Sequence, residues 1–178
     1  GGVNGNSRKL NIYGSLTWAT GMTISLKNVY ASIKFLSTSA GNTITSNGVS
    51  IPGITPGVYF QGVGGEWTLQ DDFLCATYNC SIIFYSIGKF NTNNKRVNCE
   101  DFVFYGSAGT ITLGTSDIRC VAWNGGFGSD LKAGYNLSAS ASTMTLSNGG
   151  GDWPFGSGDK TYGNVSIANA TTTVRGNS

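Results

Sequence analysis

The residues of this 178-residue chain best suited to chemistry are two adjacent carboxylate pairs, Asp71-Asp72 and Glu100-Asp101, and four cysteines, Cys75, Cys80, Cys99 and Cys120. Paired carboxylates can divide acid and base work on a glycosidic bond, or they can hold Ca²⁺. Cysteines at C-x-x-C spacing hold zinc or do redox work, but none of these four is so spaced. The chain contains no His, so an imidazole base and the commonest metal ligand are both missing. Ser and Thr are abundant, yet a hydroxyl without a positioned base is inert as a nucleophile. A catalytic site, a metal and a cofactor are therefore not expected.

The elements that would carry these side chains are short strands. Many apolar pairs are broken by Gly, Asn, Ser and Thr, and no run has a 3.6-residue period. Inward side chains in a strand come at i and i+2, and such pairs fall into three interleaved series. The first is Leu10/Ile12, Ile33/Phe35, Val58/Phe60, Ile82/Phe84 and Phe102/Phe104. The second is Leu16/Trp18, Ile44, Trp67/Leu69, Phe90 and Ile111/Leu113. The third is Ile24/Leu26, Val49/Ile51, Phe73/Cys75, Val97/Cys99, Ile118/Cys120 and Met144/Leu146. In the third series the steps from Val49 to Phe73 and from Phe73 to Val97 are 24 residues, and from Val97 to Ile118 the step is 21. Three recurring registers at this period predict an all-β fold, a right-handed parallel β-helix, as a triangular solenoid of about seven rungs. An antiparallel sandwich also has short strands, but it gives no reason for three registers to recur. The chain reads as one β-helix domain over residues 1–178, with an inserted loop at 124–136. Its ending, Thr173 to Ser178, resembles an interrupted strand and turn, as in a segment of a longer repetitive chain.

The same register gives the charged pairs a structural role. Asp71-Asp72, Lys95-Arg96 and Ser116-Asp117 each precede an inward residue of the third series, so Asp72, Arg96 and Asp117 should form an acid, base, acid ladder along one corner. Cys75, Cys99 and Cys120 share one inward position on three coils and suit a column of buried thiols. Cys80 could also pair with Cys75 across the corner between them. The outward positions of the first series are apolar too: Tyr13, Leu36, Tyr85 and Tyr105 in one column, with Tyr59, Ile83 and Val103 beside it. An exposed sheet face normally alternates apolar-in with polar-out. A face apolar on both sides suggests an interface, with a neighbouring subunit, another part of the chain or a surface glycan as the cover.

Four blocks then occur in order: Gly65-Glu66-Trp67-Thr68-Leu69-Gln70-Asp71-Asp72, Gly88-Lys89-Phe90-Asn91-Thr92-Asn93-Asn94-Lys95-Arg96-Val97, Thr110-Ile111-Thr112-Leu113-Gly114-Thr115-Ser116-Asp117-Ile118, and Gly158-Asp159-Lys160-Thr161-Tyr162-Gly163-Asn164-Val165. Together they resemble the repeats of large β-helix proteins of phage virions and secreted bacterial adhesins, over roughly residues 58 to 178. The resemblance implies a pectin-lyase-like β-helix with a surface or tail-associated role. It brings no catalytic residues, and the cysteines are not a fixed part of its pattern.

The net charge of +2 is small and scattered, which gives no support for nucleic acid as a partner. No apolar run approaches the ~20 residues of a membrane span. The expected role is a self-associating structural component of a virion fibre or tail, or of an extracellular appendage, located outside the cell or on the virion surface. The alternative is an adhesin or receptor-binding module for surface glycans. A polysaccharide lyase or hydrolase ranks third, because the carboxylates are dispersed.

Overall fold

In the computed structural model of the chain, the described residues are 8–25, 31–76, 78–106, 108–123, 135–147, 152–157, 160–168 and 173–177, with the backbone alone in 152–157 and 173–177. The first strands are β1 (Lys9–Ile12), β2 (Leu16–Thr17), β3 (Ala31–Phe35), β4 (Asn42–Thr45), β5 (Pro56–Phe60), β6 (Glu66–Leu69), β7 (Phe73–Leu74) and β8 (Ser81–Phe84). They are followed by β9 (Lys89–Asn91), β10 (Val97–Phe104), β11 (Gly109–Thr112), β12 (Asp117–Trp123), β13 (Tyr135–Leu146), β14 (Asp152–Ser157), β15 (Tyr162–Ile167) and β16 (Thr173–Asn177). Every pairing among them is parallel, and the described residues form a β-solenoid of about 5 turns. The expected figure of about seven rungs referred to the whole chain, and the described residues account for about 5 turns.

Among the described residues the three registers read from the sequence are the three walls; Leu26 of the third series lies outside the described residues. In the first, Ile33 pairs with Val58, Val58 with Ile82, and Ile82 with Phe102. In the second, Leu16 pairs with Ile44 and Ile44 with Leu69, while Trp67 pairs with Phe90 and Phe90 with Ile111. In the third, Phe73 pairs with Val97, Val97 with Ile118, and Ile118 with Met144. Strands β10, β12 and β13 each turn a corner without breaking, so one strand serves two walls. The expected loop over 124–136 ends earlier than anticipated. Residues 124–134 lie outside the described residues, but Tyr135 and Asn136 already belong to β13 and pair with Gly109 and Thr110. The cause is local fit: a Cβ on Gly109 would lie 2.8 Å from the Tyr135 ring, so the missing side chain makes room for it.

Inside the solenoid, aromatic rings stack from coil to coil. Phe35 and Phe60 lie 4.7 Å apart, Phe60 and Phe84 5.2 Å, and Phe84 and Phe104 5.7 Å, all close to parallel. Phe90 packs obliquely on Phe60 and Phe84, joining the first wall to the second. Each such pair adds roughly 0.5–1.5 kcal/mol beyond the area it buries.

Corners are held by side chains that reach a neighbouring coil. Asp71 accepts from the backbone N–H of Ser46 at 2.7 Å and of Asn47 at 2.5 Å. Asn93 donates to the Leu69 carbonyl at 3.0 Å. The buried hydroxyls of Thr92 and Ser116 bond each other at 2.6 Å, and Thr92 also donates toward Leu113 O. The hydroxyls of Thr92 and Ser116 are thus paired where they are buried, which offsets their desolvation cost.

Candidate functional site: a tyrosine-lined groove

On the outside of the first wall, Tyr59, Tyr85 and Tyr105 form a ladder. Their ring centroids are 6.1 Å apart between Tyr59 and Tyr85 and 5.7 Å between Tyr85 and Tyr105, the latter pair stacked. Lys34, one coil before Tyr59, places its Nζ 5.2 Å from that ring's centre, a cation–π contact. Ile83 and Val103, in register with Tyr59 on the following coils, are buried. Their burial arises within the chain itself.

Of the seven residues singled out on this face, five come together and two do not. Gln61 N donates to Phe35 O and Tyr85 N donates to Phe60 O, which puts Gln61 in the outward column between Leu36 and Tyr85. Tyr13, 72% exposed, and Leu36 therefore stand apart from the tyrosine ladder, separated from it by a polar residue. Listing apolar residues alone passed over this coil, and the repeat length was the signal that could have found it. Lys34 was missed in the same way.

Beside the ladder is a groove of about 350 Å³, lined by Asn79, Ser81, Glu100 and Asp101 together with the tyrosine rings. Ser81 Oγ donates to Asp101 Oδ2 at 3.0 Å. Burial raises the Asp101 carboxyl above its ordinary value and the neighbouring Glu100 raises it further, while the Ser81 hydrogen bond works against both. The Tyr59 phenol is pushed up to about 12, first by burial and then by the phenols of Tyr85 and Tyr105. Asp101 pairs with Ala122 on the next coil, so no carboxylate stacks on it from that side. Chemically the groove offers hydrogen-bonding groups beside tyrosine rings. The ring faces within the ladder already pack on one another and on Lys34.

Comparison with protein-family models, with curated proteins and with solved structures finds no match for this chain.

The other expected sites lie on the third wall and its corner. Arg96 Nε is 3.1 Å from Asp117 Oδ2, and Arg119 Nη2, which the sequence reading did not include, reaches the same oxygen at 2.8 Å. Asp72 takes part differently: its Oδ1 accepts from the backbone N–H of Arg96 at 2.9 Å. Cys75, Cys99 and Cys120 are buried thiols, with Cys99 directly opposite Cys120, and Cys80 is buried as well. Burial pushes the Cys75 and Cys99 thiols up, helped by contacts with Cys80 and Cys120 respectively. Among the described residues, no group of three or more His, Cys, Asp or Glu could hold a metal ion, and no helix is long and apolar enough to cross a membrane.

Proposed function

We propose that this chain is a right-handed β-helix segment of a virion fibre or tail, or of another extracellular appendage, and that it associates with further copies of itself. The observation that carries this reading is the unbroken Phe35–Phe60–Phe84–Phe104 column. Each coil is completed by its neighbours, so the architecture extends along one axis without a separate core for each addition. The tyrosine ladder is the surface for the second copy: Tyr105 is 38% exposed, and a net charge of +2 opposes contact between copies only weakly. Light scattering should find oligomers in the parent protein and a smaller species for Tyr85→Ser/Tyr105→Ser that keeps the strand circular-dichroism signal of the fold. A monomer at every concentration would overturn self-association.

One observation favours a second reading, a glycan-binding module: Asn79, Ser81, Glu100 and Asp101 gather hydrogen-bonding groups beside the tyrosines in a single groove. A glycan array probed with the monomer decides it. Binding that Asp101→Asn abolishes would support this role over the structural one.

A further inference from the structure

Cys75 and Cys80 stand at the two ends of the corner 76–79, and the next coil anchors both ends beside a single residue. Cys75 N donates to Asn98 O at 2.9 Å, and Glu100 N donates to Cys80 O at 3.0 Å, leaving only Cys99 between the anchors. An extended chain of five residues would separate its ends by roughly 17 Å. Here Cys75 and Cys80 both lie against the same stretch of β10, and Asn79, just before Cys80, is left-handed at φ 58. Both side chains point into the core, 3% and 0% exposed.

We propose that Cys75 and Cys80 are a disulfide-forming pair, joined when the chain folds in an oxidising medium, and that the bond staples the corner carrying Tyr78 and Asn79. The competing pair is less suited. Cys99 and Cys120 are opposite each other on parallel strands, and a strand spacing of about 4.8 Å exceeds the roughly 3.8 Å typical between the Cβ atoms of a disulfide. Two residues across a corner are not held to the strand spacing. The oxidant is a low-molecular-weight disulfide such as oxidised glutathione. One cysteine, as thiolate, attacks it and expels one glutathione thiolate. The other then attacks the mixed disulfide, forming the Cys75–Cys80 bond and releasing the second glutathione, and the two thiol protons end on the two glutathiones. Because both thiols are buried in the finished fold, the reaction belongs to folding rather than to the native state.

The experiment is to unfold the reduced protein, refold it in a glutathione redox buffer, alkylate under denaturing conditions and map peptides by mass spectrometry without reduction. The expected result is a peptide containing both Cys75 and Cys80 that has lost two hydrogens, with Cys99 and Cys120 alkylated. A Cys99→Ala/Cys120→Ala variant should show the same loss, and Cys75→Ala should not. Alkylation of all four cysteines after refolding, or a crosslink joining Cys99 to Cys120 or to Cys75, would overturn the proposal.

Discussion

Arg96 Nε lies 3.1 Å from Oδ2 of Asp117, one coil further along, while Asp72 on the coil before binds the backbone of Arg96 and not its guanidinium. The side-chain pair is 45% and 30% exposed, so water screens it. Arg96→Ala should cost only about 0.2–1 kcal/mol. Asp71→Ala should cost more, about 1–3 kcal/mol, because the amide of the buried Ser46 loses its acceptor, while the exposed Asn47 amide turns to water. Chemical denaturation of both variants checks the ranking, and an Arg96 variant less stable than the Asp71 variant would contradict it.

Phe84 touches the rings of Phe60, Phe90, Phe102 and Phe104. Truncation to Ala opens a cavity where two walls meet, at an expected cost of about 3–5 kcal/mol. The denaturation midpoint should fall sharply, and a midpoint within error of the parent would mean that this column is not packed as described.

Gly62 tests how closely coils approach. A Cβ there would sit 1.8 Å from the Ser37 carbonyl oxygen of the preceding coil, and backbone cannot yield as a side chain can. Gly62→Ala should abolish folding into the native solenoid, seen as loss of soluble protein with its strand circular-dichroism signal. Gly14→Ala, where the nearest neighbour would be 4.0 Å away, is the control and should fold.

Alkali should weaken the fold through its tyrosines. Burial pushes the phenols of Tyr59 and Tyr162 up to about 12 from an ordinary 10.0, and Tyr135 higher still. In the unfolded chain these groups lose their protons first, so stability is intact below pH 10 and declines as pH rises toward 12. Denaturation midpoints measured across that window should drop less steeply in Tyr162→Phe than in the parent. Identical slopes would show that Tyr162 is not linked to folding.

Much of this arrangement was legible in the residues. Inward positions recur because a strand side chain that fails to stack leaves a void, so Phe73, Val97 and Ile118 disclosed their register through type and spacing alone. Glu100-Asp101 opposite Val121-Ala122 was readable on the same basis. The outward surface was less legible, since nothing forces an outward residue to be apolar. Gln61 breaks a column that looked continuous, and Lys34 caps a ring that looked unattended. Arg119 joined the corner pair for a similar reason: it shares the outward side of its strand with Asp117, a relation of i to i+2. That Cys75 and Cys80 could meet across their corner was legible from their spacing, while the anchoring of both ends on either side of Cys99 shows only in the assembled walls.

The bonds that hold one coil to the next run along the solenoid's long axis. A pulling force between its two ends would load those bonds head-on, one layer at a time, so traction should unwind the terminal layer first and then proceed inward. Sideways loads meet three walls and a continuous file of rings at once. Such an object is a stiff rod against bending and a ribbon that peels under tension, which makes the terminal layers the places where anchorage matters most.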